Sequence, residues 1–258
     1  ASIDKALEHC SAHQPARIEQ RWLDVTEISD PKAAASMLDG LDAVIVPGGF
    51  GTRGVEGKIE AVRHCRENGI PYLGICLGFQ VAVIEYAQNV LGLDGATSTE
   101  FGGDGPFVIS ELPDQKEIEG LGGTMRLGAQ DVALSPDSLA SLLYQAESAR
   151  ERFRHRYEVE PEFIGRLTKA GLVFSGRHPV HAVMQALELP AAREPGDDRP
   201  VHPFFFATQF HPELTSRPLT PQPAFMGLVA AALKRKHGAD TVRAPERWLH
   251  APSAHQTV

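Results

Sequence analysis

A chain of 258 residues with 42% hydrophobic and 22% charged residues has an ordinary globular composition and can bury one large α/β core. Its net charge of -8 argues against nucleic-acid binding, because that mode needs a basic surface. The sequence has no apolar stretch of membrane-spanning length and no signal-peptide pattern, and its three cysteines lack C-x-x-C spacing. We therefore expect a cytoplasmic protein without nucleic-acid, membrane or metal partners.

The first part of the chain alternates predicted helices and strands. In chain order, the expected elements are a helix over 2–9, a strand over 18–23, a short helix after Pro31, a strand over 41–47, a helix over 57–68, a strand over 71–75 and a helix over 79–91. The strands at 41–47 and 71–75 are continuous apolar runs, which is typical of strands buried on both faces of a sheet. This order predicts right-handed βαβ units with parallel strands.

The second part of the chain departs from this alternation. Short polar loops and hairpin-like pieces from 97 to about 150 predict a small antiparallel excursion. The later expected elements are a helix over 163–170, two strands over 171–189, a surface loop over 191–200, a strand over 203–210 and a helix over 225–236. We expect an α/β fold with an open, mostly parallel twisted sheet and helices on both faces. One domain is expected over 1–236, followed by a polar tail over 237–258.

The strongest local signal is the G-x-C-x-G motif at residues 74–78, between a predicted strand and a predicted helix. This is the cysteine version of a nucleophile elbow, in which small flanking residues let the backbone turn sharply and present the side chain. The positive end of the helix dipole would favour a Cys76 thiolate. The alternative is a buried structural cysteine, but such a residue does not need the two glycines.

A thiol nucleophile needs a base, and His211 with Glu213 offers one at the end of the last predicted strand. A spacing of two residues in an extended segment points both side chains the same way, so Glu213 can hold the imidazole while His211 faces the thiol. Sheets of this kind place their sites at the carboxyl ends of the strands. Without Cys76, His211 would be interpreted as a surface or capping histidine.

Two other patterns could indicate a different kind of site, one for a dinucleotide and one for a metal ion. Residues 49–54 match the G-x-G-x-x-G pattern of dinucleotide-binding proteins, but no acidic residue ends the following strand, which has the cysteine motif instead. Cys10 and Cys65 each follow a histidine, yet sequence neighbours on a helix point apart, which argues against a metal site.

Several motifs together resemble a known family. GICLGFQ (74–80) and QFHPE (209–213) resemble the class I glutamine amidotransferases. PGGFGTRGVEG (47–57), GGTMRLG (122–128) and RHRYEV (154–159) narrow the resemblance to the glutaminase domains of the CTP synthase family. The resemblance extends from the first residue to about Lys236 and implies hydrolysis of L-glutamine to glutamate and ammonia through a cysteine thioester.

The resemblance also implies roles for individual residues. Cys76, His211 and Glu213 would form the catalytic triad. The expected substrate-binding residues are Gly48, Gly49, Leu77, Gly78, Phe79, Gln80, Glu100 and Arg156. Backbone amides of Leu77 and of the 48–49 loop would stabilise the oxyanion, whereas Glu100 would receive the α-ammonium and Arg156 the α-carboxylate of glutamine. Without the resemblance, both charged residues would be interpreted as solvated surface groups.

No cofactor is expected within this domain. By resemblance, the ammonia would pass to a synthetase domain that uses ATP, UTP and Mg²⁺ to form CTP, with GTP as allosteric activator, in a tetrameric ligase of pyrimidine biosynthesis. The chain begins in what resembles the first helix of the family, so we expect the first strand and the synthetase domain to be absent from it. Glu160 replaces the asparagine common in the family, and 177–190 is only loosely similar.

Two alternatives remain open. The chain could be a class I amidotransferase that supplies another acceptor, although RHRYEV and GGTMRLG argue against this interpretation. It could also be a catalytically silent regulatory module, which the intact cysteine, histidine and glutamate disfavour.

Overall fold

The structure is a computed structural model that describes residues 1–14, 16–111, 121–122, 125–192 and 196–238. The helices are α1 (Ser2–His13), α2 (Pro31–Met37), α3 (Val55–Asn68), α4 (Leu77–Asn89), α5 (Leu139–Tyr144), α6 (Pro161–Lys169) and α7 (Pro223–His237). The strands are β1 (Val44–Val46), β2 (Tyr72–Ile75), β3 (Thr97–Ser98), β4 (Phe107–Ser110), β5 (Leu121–Gly122), β6 (Met125–Leu134), β7 (Ser148–His155), β8 (Glu158–Val159), β9 (Val173–Arg177), β10 (Met184–Glu188) and β11 (Phe205–Thr208). Short 3₁₀ turns lie at Val25–Glu27 and Pro212–Leu214.

The central sheet has the strand order β1-β2-β11-β10-β9-β6-β5, and β7 pairs with β6. Strands β1, β2 and β11 are parallel neighbours, whereas the pairings from β11 through β10 and β9 to β6 and its partners are antiparallel. Strands β3, β4 and β8 form a second, small sheet. The predicted α/β fold with an open sheet is confirmed. Its antiparallel part is larger than the small excursion expected, because the long strand β6 joins the central sheet through β9.

Helices cover both faces of the central sheet, which creates two apolar layers. The first layer includes side chains from α2, α3, α4 and α6, and the second includes side chains from α1, α5 and α7. The neighbours Phe205 and Phe206 of β11 lie in different layers, because successive side chains of a strand point to opposite faces. Every residue of β2 and β11 is buried, which explains their predominantly apolar sequences.

The predicted strand over 18–23 is wrong. This segment has no strand pairing, and Trp22 is 66% exposed. A strand needs a neighbour that takes up its backbone hydrogen bonds. Here local side-chain bonds hold the chain instead, with Gln20 donating to Asp4 and Asp24 capping the next 3₁₀ turn. Helix α5 was not predicted from the sequence. It starts at a capping box made of two serines, Ser138 and Ser141.

Some predicted features fall partly outside the described residues. These are residues 123–124 of the GGTMRLG motif, 193–195 of the surface loop and 239–258 of the polar tail. Within the ranges that the structure describes, no helix is both long enough and apolar enough to cross a bilayer.

Candidate active site

Cys76 lies at the bend between β2 and α4 and is the N-terminal cap of that helix. Its backbone angles are φ 54° and ψ -98°, in the positive-φ region where a residue with a Cβ is strained. The backbone N–H of Cys76 donates to the carbonyl of Thr208 at 2.7 Å, which fastens the bend to β11. The strand, the sharp turn and the helix of a nucleophile elbow are therefore all present.

The two glycines of the motif let the bend pack closely against its neighbours. A Cβ at Gly74 would lie 2.7 Å from the carbonyl oxygen of Gly78, and a Cβ at Gly78 would lie 2.1 Å from the carbonyl oxygen of Val46. Both distances are too short for real atoms, and backbone cannot move aside as a flexible side chain can. Any side chain at Gly78 would push α4 away from β1.

His211 follows β11, and its imidazole is oriented by Glu213. The Nδ1 atom lies 2.7 Å from Oε1 of Glu213, and the backbone N–H of His211 donates to the carbonyl of Arg152 at 2.8 Å. The Nε2 atom is buried and makes no hydrogen bond to any described residue. The ring is thus fixed through one nitrogen and free to act through the other.

Gly48 lies where Cys76 and His211 meet. A Cβ built on Gly48 would be 2.9 Å from Cε1 of His211 and 3.4 Å from Cβ of Cys76. Both side chains therefore pack closely against Gly48, where a residue with a Cβ would collide with the imidazole. Cys76 and His211 are thus neighbours beside the glycine loop.

The charge state of His211 depends on its neighbours. Burial lowers the pKa of His211, but interactions with the Cys76 sulfur and the Glu213 carboxylate outweigh burial and raise this pKa to about 10. The imidazole therefore favours its protonated form at neutral pH while the cysteine is free. A protonated imidazole beside a sulfur is the electrostatic arrangement that supports a thiolate nucleophile.

The first turn of α4 contributes mainly backbone to the site. Phe79 is fully buried in the first apolar layer, so its side chain faces away from Cys76. Leu77 contacts the glycine loop, because a Cβ on Gly49 would lie 3.2 Å from its Cδ2. Gln80 is 2% exposed, and its Nε2 donates to the carbonyl of Tyr157 at 3.1 Å.

The two predicted charged residues, Glu100 and Arg156, have different surroundings. The Oε1 atom of Glu100 accepts a hydrogen bond from the N–H of Gly51 at 2.8 Å, which ties Glu100 to the loop that begins with Gly48. Arg156 is exposed between β7 and β8. The carbonyls of its neighbours Arg154 and Tyr157 face the site and contact the Cys76 sulfur and Gln80.

Two buried residues near the site were missed by the sequence reasoning. The Nε2 atom of Gln209 lies 3.7 Å from the Cys76 sulfur. Glu151 accepts hydrogen bonds from Thr215 at 2.9 Å and from Gln222 at 2.6 Å, and so supports the 3₁₀ turn of Glu213 from behind. Burial raises the pKa of Glu151 to about 7. A cavity of about 240 Å³ opens beside this second cluster.

One signal could have identified Gln209. It stands two residues before His211, and that spacing tends to place two side chains on the same side of an extended chain. No comparable signal marks Glu151. In the described parts of the chain, no group of three or more histidine, cysteine, aspartate or glutamate side chains is arranged to hold a metal ion.

Comparisons with known proteins identify relatives over most of the chain. The family model "Glutamine amidotransferase class-I" matches residues 1–231. The CTP synthase of Thermococcus kodakarensis is 47% identical over 240 residues, which are 92% of this chain and 43% of the relative. The CTP synthase of Rubrobacter xylanophilus is 49% identical over 245 residues, which are 95% of this chain and 42% of the relative. The chain thus spans about two fifths of the length of these curated relatives.

A solved structure of a glutaminase domain is also similar to this chain. The glutaminase domain of Trypanosoma brucei CTPS, determined with bound acivicin, is 37% identical and has a TM-score of 0.79, over 90% of this chain and 87% of that chain. The resemblance noted in the sequence is therefore confirmed. The chain belongs to the class I glutamine amidotransferase family, and it is similar to CTP synthases and to the glutaminase domain of one of them.

Proposed function

We propose that this chain hydrolyses L-glutamine to glutamate and ammonia with Cys76 as nucleophile, and that the ammonia serves the amination of UTP to CTP in a synthetase domain. The observation that supports this proposal best is the convergence of Cys76 and His211 above Gly48, with Glu213 behind the imidazole. A cysteine nucleophile with an oriented base beside it is the arrangement that acyl transfer through a covalent intermediate requires.

The reaction follows from these positions. The Cys76 thiolate attacks the side-chain amide carbon of glutamine, and protonated His211 gives its proton to the departing ammonia, which leaves a γ-glutamyl thioester. Neutral His211 then takes a proton from water, and the resulting hydroxide attacks the thioester carbon. Glutamate and the thiolate are released, and His211 is protonated again. Glu213 keeps the imidazole in one orientation through both steps.

Backbone amides are available to stabilise the oxyanion of each tetrahedral intermediate. The N–H of Leu77 is at the first position of α4, where helix geometry supplies no acceptor. Gly49 of the neighbouring loop packs against the Leu77 side chain, and an amide of the 48–49 loop would be the second donor. Donors held in this way before the reaction stabilise developing charge without reorganising.

The amino-acid end of glutamine would be recognised by charge. Glu100 lies beside the glycine loop, where its carboxyl oxygen accepts from the N–H of Gly51, and it would receive the α-ammonium group. Exposed Arg156 would pair with the α-carboxylate through its planar guanidinium.

The remaining parts of the function come from the relatives. ATP, UTP and Mg²⁺ in a synthetase domain, GTP as activator, a tetramer and a cytoplasmic location stay predictions, as do the domain boundary near residue 236 and the tail after it. Identities of 47% and 49% with CTP synthases favour CTP formation over an amidotransferase that supplies another acceptor. The protein with its synthetase domain should convert UTP to CTP with glutamine as nitrogen donor.

Selective labelling of Cys76 tests the nucleophile. A glutamine analogue with an electrophile at the γ position is expected to add its mass to the peptide that contains Cys76, and excess L-glutamine should prevent the addition. Cys10 and Cys65 should stay unlabelled, because both are fully buried and burial raises the pKa of each thiol, that of Cys10 to about 12. Peptide mass spectrometry measures the distribution, and equal labelling of the three thiols would contradict the proposal.

Gly48→Ala tests the close packing of Gly48 against Cys76 and His211. The added Cβ would lie 2.9 Å from Cε1 of His211, so the imidazole must shift, and we expect kcat/KM for glutamine to fall at least about tenfold. Gly165→Ala is the matched control, because a Cβ there meets nothing within 4 Å and lies in helix α6. Glutamate release by both variants measures the effect. Equal activity of the Gly48 and Gly165 variants would show that the imidazole position set by Gly48 is not needed for activity.

A further inference from the structure

We propose that Gln209 is a catalytic residue that stabilises the Cys76 thiolate through its side-chain amide. This inference rests on the proposed function, in which Cys76 is the nucleophile. The Nε2 atom of Gln209 lies 3.7 Å from the Cys76 sulfur, within hydrogen-bonding distance for sulfur, and Gln209 is fully buried. An amide N–H that points at a sulfur in a water-free position is a fixed donor for negative charge.

The orientation of this amide follows from a chain of hydrogen bonds. The carbonyl oxygen of Tyr157 can only accept, so it requires the NH₂ group of Gln80 at 3.1 Å. The same NH₂ group lies 3.3 Å from Oε1 of Gln209. Turning the Gln209 amide over would bring two NH₂ groups together and place an oxygen against the sulfur. The Nε2 atom of Gln209 therefore faces Cys76.

Two polar groups near the Cys76 sulfur favour different protonation states of the sulfur. The carbonyl oxygen of Arg154 lies 3.8 Å from the Cys76 sulfur and can accept its S–H, which favours the neutral thiol. The Gln209 amide donates, which favours the thiolate. When the thiol ionises, the contact with the carbonyl becomes repulsive and the bond from the amide becomes charge-assisted. The amide therefore stabilises the sulfur before it attacks and again when the thioester breaks and returns the thiolate.

Gln80 connects this donor to the substrate end of the site. The carbonyl of Tyr157, which holds Gln80, comes directly after Arg156, the residue proposed to bind the α-carboxylate. A displacement of this segment would break the bond to Gln80 and free the amide of Gln209 to turn. The donor at the sulfur is thus maintained only while the segment of Arg156 is in place.

The test is the pH dependence of Cys76 alkylation by iodoacetamide in Gln209→Met, which keeps the length of the side chain but removes the donor. We expect the midpoint of the alkylation-versus-pH curve to rise by about one pH unit, and kcat/KM for glutamine near neutral pH to fall about tenfold. At high pH the alkylation rates of variant and wild type should converge. The titratable groups that face the sulfur, His211 and the Glu213 behind it, are unchanged in this variant.

Gln14→Met is the matched control, because Gln14 is also a buried glutamine, 4% exposed, whose amide makes no hydrogen bond to a described residue. Its alkylation curve should coincide with that of the wild type. An unshifted curve in folded Gln209→Met, with Cys76 still labelled selectively in the wild type, would overturn the role of Gln209 alone. Failure of the wild type to label at Cys76 would overturn the proposed function with it.

Gln80→Glu gives a second measurement that leaves Gln209 in place. The new carboxylate would attract the NH₂ group of Gln209 away from the sulfur, but it would also disfavour the thiolate directly through its charge, so the neutral variant Gln80→Met is compared with it. Gln80→Met removes the donor that holds Oε1 of Gln209 and adds no charge, so the Gln209 amide is free to turn and an upward shift of the alkylation midpoint is expected. The Gln80→Met result is the one that tests Gln209 if Gln209→Met does not fold. A midpoint identical to that of the wild type would then contradict the proposal.

Discussion

Replacing Cys76 with serine is expected to reduce glutamate release from glutamine by at least about 10³-fold. The serine hydroxyl stays protonated beside the imidazole, because its proton is far harder to remove than that of a thiol, so the nucleophile is lost. The fold should persist, since serine has a Cβ like cysteine and meets the same backbone strain at φ 54°. A coupled glutamate assay measures the activity, and the thermal unfolding midpoint measures the stability.

Cys10→Ser separates loss of chemistry from loss of packing. Cys10 is fully buried on α1 in the second apolar layer, so a hydroxyl there should cost stability and leave glutamate release nearly unchanged. The Cys76 variant should show the reverse pattern. Glutamate release at the wild-type rate from Cys76→Ser would remove Cys76 from the mechanism.

The elbow was predictable because its requirements are local. A buried strand, a helix and two glycines within residues 71–91 determine the bend, and the structure shows why neither glycine tolerates a side chain. The parallel strands β1, β2 and β11 were predictable for a related reason. Strands covered on both faces must be continuously apolar, and such runs are evident in the sequence.

Strand β7 was harder to predict because polar residues occupy its inward positions. Its alternate residues Glu151, Phe153 and His155 are buried, which is the pattern of a strand with one face in the core. Two of the three are polar, so hydrophobic alternation does not reveal them. Their partners lie outside the strand: the distant Thr215 bonds Glu151, and Glu158, three residues further on, bonds His155 at 2.6 Å.

The contact between Gln209 and Cys76 was also hard to predict, because it joins residues that are distant in the sequence. The two residues are 133 positions apart, and the orientation of Gln209 depends on Gln80 and Tyr157, which come from two other elements. Spacing within one segment places His211 and Glu213 together, but it cannot show which distant amide completes the surroundings of the sulfur. The predicted strand over 18–23 failed for the converse reason, since a local pattern had no partner strand in space.

His211→Asn is expected to reduce glutamate release by about 10² to 10⁴-fold, because no group remains to protonate the departing ammonia or to activate water. It should also change how stability depends on pH. The pKa of His211 rises from 6.5 to about 10 in the folded protein, so the folded state holds this proton more tightly than the unfolded state. The resulting stabilisation is fully present below about pH 6.5 and is lost progressively as the pH rises through about 10.

Urea unfolding of the two proteins at about pH 6, 8 and 10 measures this contribution. The wild type should lose stability across this window more steeply than His211→Asn, because the variant lacks the group that titrates. His13→Asn is the matched control: His13 lies at the end of α1 and contacts the carbonyl of Pro218, away from the sulfur. It should follow the wild type in both activity and slope. Parallel stability curves for the wild type and His211→Asn would show that His211 is not held protonated beside Cys76, and the proton donor for ammonia would then have to be another group.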